Sequence, residues 1–502
     1  MSADVARVKL RNIFISVVIA IVLSAVKETV RAAKPVMVHY MPWFQSPFSL
    51  GANNWGYHWE MGSNFNPNTI NPTNGEREIS SWYYPLESPY DSLDPAVLEY
   101  HVLLMKLSGI DGVIVDWYGQ DNYYDYGINN QRTLALFNYI KMAGLKFSLC
   151  YEDSTITAEI SGGSMNGVSV TAANAIAHAQ QTLLYAQTNF FNDPAFLRLN
   201  NAPVFLNFGP QYFTASSSWA SIFSVLNASN QPAFFTEDNR LAAGQGAFDW
   251  PPMALSGGGT LTSNQLQTYL INFEQTAKSQ SWPDYISSAF PRFHDIYAQA
   301  GVGSSYGYLD DASGNTFTST LTRAMTNSSA IVQLVTWNDY GEGTIIEPTV
   351  AGTEPTTEYG FTDLGIVQNL RRQYLDSTFP YHTNNLVLAL RLYHLREQYT
   401  NSAPVNAELN RVFTNIISGN LLTANVQLTG IESGQPVIYN LSSNSNQLQF
   451  FIGGYLASGA QVQVSTNLTN WQIVQTFNAG TNLPVFSTDT TQPVCRFFKV
   501  QL

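Results

Sequence analysis

The sequence predicts a (β/α)8 TIM barrel followed by a small all-β, sandwich-like module, and three observations carry this. Between Lys34 and Tyr399 short apolar runs alternate with helical patterns, as they do when a parallel sheet is wrapped by its crossover helices. The apolar runs number eight, the count that closes such a barrel. Past Pro404 the composition turns to Asn, Ser, Thr, Gln and Gly with β-type alternation. A chain of 502 residues also exceeds the usual size of a single core, so one large and one small domain are expected.

At the N-terminus, Arg7, Lys9 and Arg11 precede an apolar run from Ile13 to Val26, and small residues follow at Ala32 and Ala33. Charged, apolar and small regions in that order make residues 1–33 a secretory signal. The run is too short to span a bilayer comfortably. The expectation is a secreted or periplasmic bacterial protein with no membrane contact once the signal is removed, an uncleaved anchor being the alternative.

The barrel is assigned to residues 34–402. Its strands are read at Val36–Met41, Gly112–Asp116, Phe147–Tyr151, Val204–Asn207, Ala233–Thr236, Ala247–Trp250, Ile286–Phe290 and Ile331–Thr336. A helix is expected after each strand. The first is the best marked, with Asp94 as N-cap, Pro95 in the first turn and Gly109 as the stop. Ser263 opens another, Gly144 closes the one containing Leu134, Phe137 and Ile140, and Tyr381–Tyr399 reads as a last helix against the barrel. Insertions at Phe44–Asp94 and Asp153–Leu199 exceed ordinary loop lengths, which marks functional loops. Residues 403–420 read as a linker containing a helical stretch, and 421–502 as the β module, with strands at Asn425–Gly430, Gln447–Phe451 and Gln461–Ser465.

Charged residues make up 12% of the chain, about half the roughly 25% of ordinary soluble domains, and 23 basic against 36 acidic residues leave a net charge of −13. Such a surface repels phosphate backbones, so nucleic acid is not an expected partner. Aromatic residues reach 13%, and flat amphipathic rings suit neutral polar ligands such as sugars. With only Cys150 and Cys495, a disulfide framework is excluded.

In a barrel of this kind the site lies at the C-terminal ends of the strands. The residues there are Tyr40 and Trp43; Asp116, Trp117 and Tyr118; Glu152 and Asp153; Asn207; Glu237 and Asp238; Asp249 and Trp250; Arg292 and His294; and Trp337, Asn338, Asp339 and Glu342. Carboxylates and aromatics predominate. That inventory fits glycoside hydrolysis, in which one carboxyl group protonates the leaving oxygen and another acts as base or nucleophile. Metal hydrolysis fits less well: His39 stands alone on the first strand and the chain holds 7 His, with His101 and His178 read as structural. No metal and no cofactor is expected.

The strongest local signal is TWNDYGEGTIIEP, Thr336 to Pro348, directly after the eighth strand. It resembles the closing motif of glycoside hydrolase families 71 and 99, whose barrels act on α-glucans and α-mannosides respectively. TWNDYGE is closer to family 71 and GTIIEP to family 99. The resemblance continues through HYMPWF at the first strand, His58 and Trp59, YYPLESPYDSLDP before the first helix, and GIDGVIVDWYG through the second strand. It implies that Asp339 is the base and Glu342 the general acid; from their places at the strand ends and in these motifs, carbohydrate contacts are assigned to Tyr40, Trp43, His58, Trp59, Asp116, Trp117, Tyr118, Glu152, Asp153, Asn207, Trp250, His294, Trp337, Asn338 and Glu347. Family 99 carries Glu at the base position, where it is thought to activate the substrate's own 2-hydroxyl. The shorter Asp339 withdraws its carboxylate by about 1.5 Å, one C–C bond. That favours water as nucleophile and inversion, as in family 71, with α-glucan placed ahead of α-mannan. The alternative is a non-catalytic carbohydrate-binding barrel.

Overall fold

A computed structural model describes residues 34–350 apart from 63, 163, 166 and 167, and then residues 359–443, 447–453, 459–478, 485–489 and 496–501. The signal read at 1–33 and Cys495 lie outside the described residues.

Eight strands form the barrel: β1 (Val36–Tyr40), β2 (Gly112–Trp117), β3 (Lys146–Tyr151), β4 (Ala202–Asn207), β5 (Ala233–Glu237), β6 (Gly246–Phe248), β7 (Ile286–Ala289) and β8 (Ile331–Leu334). Each coincides with a run read from the sequence, differing only at its ends. All neighbours pair in parallel, β1 between β2 and β8, and the sheet closes where Leu149 of β3 meets Phe205 of β4. These strands are buried on both faces, which is why they read as continuous apolar runs rather than as alternation. Gly112 is required by packing, since a Cβ there would lie 1.9 Å from the Lys146 carbonyl oxygen on the adjacent strand.

The wrapping helices begin and end where their caps dictate. In α1 (Pro95–Ser108) the Asp94 side chain accepts from Ala96 N, and Gly109 leaves the helix in the left-handed region. α2 spans Tyr126–Met142 and α3 Ala175–Ala186; α4 spans Ser216–Phe223, and α5 (Ser263–Ser279) starts at a capping box of Thr262 and Gln265. α6 (Asn315–Thr326), α7 (Thr362–Tyr374) and α8 (Thr383–Gln398) complete the layer. One expectation is corrected. No helix separates β5 from β6, and residues 238–245 cross directly as a loop, because eight residues are too few for a helix and its two turns.

A second correction falls on the boundary with the tail. Residues 403–417 are not a linker but α9 (Ala403–Ile417), whose Val405, Leu409, Val412, Phe413 and Ile416 enter the main core. The strand read at Asn425–Gly430 is instead part of α10 (Leu421–Ser433). Its buried residues Ala424, Leu428 and Ile431 follow helical spacing, which a short window centred on Val426 and Leu428 mistakes for alternation. Arg396 of α8 fastens this region, donating to both carboxylate oxygens of Glu99 in α1 at 2.9 Å and to the side chains of Asn406 and Asn410.

The β module begins at Val437. Two three-stranded antiparallel sheets, β9 (Val437–Ser443), β10 (Gln447–Gly453) and β13 (Val485–Asp489) in one and β11 (Ala460–Ser465), β12 (Gln472–Phe477) and β14 (Phe497–Gln501) in the other, enclose Phe450, Ile452, Ala460, Val462 and Phe486. The strands read at Gln447–Phe451 and Gln461–Ser465 are present. Among the described residues, no helix is long and apolar enough to cross a membrane.

This packing sets where the tail is separable. A chain ended after Gly434 keeps the α9 and α10 side chains that enter the main core and loses only the packing of Tyr439 against Glu408 and Gln427, so it is expected to melt within a few degrees of the full protein. Ending at Asn401 removes five large buried side chains, each worth about 1.5–3 kcal/mol of burial, so this shorter chain is expected to melt well below the full protein or to precipitate. Thermal unfolding of the two truncations checks the difference.

Candidate active site

The C-terminal ends of the strands open into a cleft of about 300 Å³. Asp116 and Tyr118 reach it from the end of β2, Glu152 from β3, Trp250 from β6, and Asp339 and Glu342 from the turn after β8. Met41, Trp43 and Phe44 enter after β1, while Tyr57, His58 and Met61 come from the first insertion and Phe208 and Tyr297 from later loops. Among the described residues, no Lys or Arg lines it.

The turn after β8 is built by its own polar atoms. Asp339 N donates to Thr336 Oγ1 at 2.8 Å, Glu342 N to Asp339 Oδ1 at 3.0 Å, and Gly343 N to the Asp339 carbonyl at 2.9 Å. These bonds hold Asp339 and Glu342 on one side of a tight turn. The Tyr297 hydroxyl faces Glu342 Oε1 at 3.4 Å. Asn338 ties the turn to β1, accepting from Met41 N at 2.8 Å and donating to the Met41 carbonyl at 3.0 Å.

Four carboxylates thus share a cleft with no cation on its wall, and burial dominates their protonation. Desolvation pushes Asp339 up to about 6 against the opposing pull of backbone N–H groups from Glu342 and Gly341. Glu342 is raised well above the usual carboxylate range by burial and then by the charge of Asp339. Asp116 rises likewise through burial, Glu152 and Asp339, and burial brings Glu152 to about 7. Near neutral pH, Asp339 is therefore ionised while Glu342 retains its proton, an arrangement that separates a base from an acid. Facing them, Trp43 and His58 stack at 4.2 Å, and Trp250 meets the edge of His39 at 4.9 Å. Burial lowers His39 to about 3, so it is neutral.

Of the residues singled out from the sequence, Trp43, His58, Asp116, Tyr118, Glu152, Trp250, Asp339 and Glu342 line the cleft. The others do not. Tyr40 bonds to His101 in the layer behind the barrel, and Trp59 donates to the Tyr90 carbonyl inside the core. Trp117 donates to Asn130 of α2. Asp153 accepts from Gln211, Tyr212 and Phe213 backbone N–H groups and from Asn207 Nδ2, so both residues shape the loop after β4. His294 stacks on Trp82 at 4.7 Å, Trp337 sits edge-on to His101 within the core, and Asn338 and Glu347 are buried behind the turn. Met41, Phe44, Tyr57, Met61, Phe208 and Tyr297 were not anticipated; they come from loops whose course no periodicity records.

Two groups of described residues bring three potential metal-ligand atoms within 4.8 Å of one another: Glu87, His101 and Glu347, and Asp121, Glu159 and His178. In the second, hydrogen bonds and charges of Asp121 and Glu159 outweigh burial and lift His178 to about 9, so an imidazolium joins the two carboxylates at 3.0 and 2.8 Å. Both histidines sit on helices as read from the sequence, and both are buried.

No protein-family model matches the chain. It is similar to a glycoprotein endo-α-1,2-mannosidase-like protein of Mus musculus, 21% identical over 362 residues that span 67% of this chain and 74% of that protein. A solved structure of the GH99 endo-α-mannosidase from Bacteroides thetaiotaomicron, bound to bis-tris-propane, superposes with a TM-score of 0.50 at 20% identity, over 68% of this chain and 98% of the other. The chain is therefore similar in sequence to an endo-α-1,2-mannosidase-like protein and shares the barrel fold of a GH99 endo-α-mannosidase.

Proposed function

We propose that this protein is a secreted glycoside hydrolase that cleaves α-linked glycans through Asp339 and Glu342. The observation that carries the reading is the turn after β8, which aims an ionisable Asp339 and a protonated Glu342 into one aromatic cleft without a cation. A wall of carboxylates disfavours anionic substrates and suits neutral sugars, whose apolar faces pack on Trp43 and Trp250 while Asp116 and Glu152 meet hydroxyl groups. Both relatives carry endo-α-mannosidase in their names, which moves α-mannosides ahead of the α-glucans favoured by the motif alone. The pattern of residues 1–33 supports export.

In the proposed reaction Glu342 gives its proton to the departing glycosidic oxygen as the C–O bond breaks. Asp339 takes a proton from water attacking the anomeric carbon on the opposite face, and the product forms with inversion. Tyr297, beside Glu342 Oε1, holds the acid's orientation.

Replacing Asp339 by Asn or Glu342 by Gln is expected to lower kcat by about 10²- to 10⁴-fold. The measurement is reducing-end release from α-mannan and α-glucan oligosaccharides beside circular dichroism. Wild-type binding without new reducing ends would make the protein a carbohydrate-binding barrel instead. Proton NMR of the first product tests inversion, an initial α-anomer being the contrary result.

The acidic limb of kcat is expected near pH 6, where Asp339 ionises. The same shift has a stability consequence. Because the folded-state value lies above the unfolded one, the folded chain holds this proton more tightly; the resulting stability is present at low pH and lost as pH rises through about 6. Asp339→Asn is therefore expected to raise Tm by a few degrees at neutral pH and leave it unchanged under acidic conditions, read by calorimetry across the range.

A further inference from the structure

Glu347 lies beyond the catalytic turn, with its side chain fully shielded from solvent. Its Oε2 accepts from the hydroxyls of Tyr90 and Tyr340 at 2.9 and 3.0 Å. Its Oε1 lies 2.5 Å from His101 Nε2, which is also 3.2 Å from Glu87 Oε1. Burial holds His101 below its ordinary value, so the ring is neutral and its proton sits on Nε2, facing the carboxylates, while Nδ1 accepts from Tyr40 at 3.0 Å. The Tyr90 oxygen in turn accepts from Asn338 Nδ2 at 3.0 Å. Asn338 and Tyr340 are the two neighbours of Asp339 in the chain, and both end on the same carboxylate, one directly and one through a single phenol.

We propose that Glu347 is a positioning residue for the hydrolytic reaction, fixing Asp339 from behind through Tyr340, Tyr90 and Asn338. The inference rests on the hydrolase reading above. Burying a carboxylate costs several kcal/mol before its bonds are counted, and an apolar side chain fills a core without that cost. What the carboxyl group adds is direction: two phenol hydroxyls meeting on one buried oxygen, Oε2, fix where the residues flanking Asp339 lie. The cleft does not include Glu347, so its effect falls on the placement of the base and leaves sugar binding alone. Misplacement of a reacting group by about 1 Å costs on the order of 10²-fold in rate.

The test uses the full chain and four variants, Glu347→Gln, Tyr340→Phe, Tyr90→Phe and, as a control, Tyr393→Phe, whose hydroxyl reaches only the Glu87 carbonyl on the far side of the cluster. Glu347→Gln is expected to lower kcat by about ten- to a hundredfold with KM within about twofold. Tyr340→Phe is expected to lower kcat in the same sense, and its effect should not add to that of Glu347→Gln. The control keeps wild-type kinetics. Should Glu347→Gln fail to fold, the two phenol variants, which lose one oxygen each and no charge, decide the matter.

A readout independent of turnover is the folded-state titration point of Asp339, read as the pH above which the Tm difference between wild type and Asp339→Asn levels off, in a setting faced by Asp116 and Glu342. In the Tyr340→Phe background it is expected to move from near 6 towards the ordinary carboxylate range as the loosened turn admits water. An inactive wild type would overturn the hydrolase reading and leave this titration to judge the positioning role. Folded variants with unchanged kcat and an unchanged titration point, or a raised KM at unchanged kcat, would overturn the proposal itself.

Discussion

The pairing of the first barrel strand with the last is the constraint on which the remaining structure depends. Val36 of β1 lies opposite Val332 of β8, so the chain must complete the entire circuit of strands before this seam exists. Asn338 then repeats the join in polar form by bonding both backbone groups of Met41. Because these bonds are buried, leaving them unmade would strand polar atoms without water. The turn that carries Asp339 and Glu342 is thus anchored to the opposite end of the sequence, and its geometry is a property of barrel closure.

The electrostatics follow from the same seam. Strand ends of a closed barrel converge, and four carboxylates brought together there lose solvent without gaining a cation. The buried arginines elsewhere are paired: Arg292 with Asp363 and with the face of Tyr359, Arg323 with Asp249 and Glu274, Arg396 with Glu99. In the cleft, as at the Glu87 and Glu347 pair behind it, the fold tolerates burial without a cation, and the raised protonation of Glu342 and Asp116 is the physical result. Strain of this kind, with satisfied networks around it, is what a reactive site requires.

Around the barrel, the insertion after β1 and the helices after β8 have different roles. The insertion sends Tyr57, His58 and Met61 into the cleft and Tyr90 beneath the turn after β8. The helices α8 and α9 close the outer layer through Arg396, which ties the segment leading to the β module into the barrel's own core. The module's six strands keep a separate small core of aromatic and aliphatic side chains, consistent with its different composition.

By itself the sequence determined the strand count, the strand positions, the capped helices and the place of the Asp339–Glu342 turn at the mouth of the barrel. These follow from local quantities: continuous apolar runs, N-cap and C-cap residues, and a motif contiguous in the chain. It misread α9 and α10, where short apolar spacing fits two periods, and it supplied a helix between β5 and β6 where the chain has no room for one. Tertiary structure decided which strand-end residues face the cleft, because side chains alternate across a strand and the register of that alternation is invisible at the ends. Asp116 and Tyr118 point in while Trp117 between them reaches α2; Glu152 points in while Asp153 holds the loop after β4; His39 lines the cleft while Tyr40 meets His101. Only the fold could bring Tyr297 to Glu342 or place Glu87, His101 and Tyr90 around Glu347, since those contacts join segments whose separation in sequence carries no trace of their meeting.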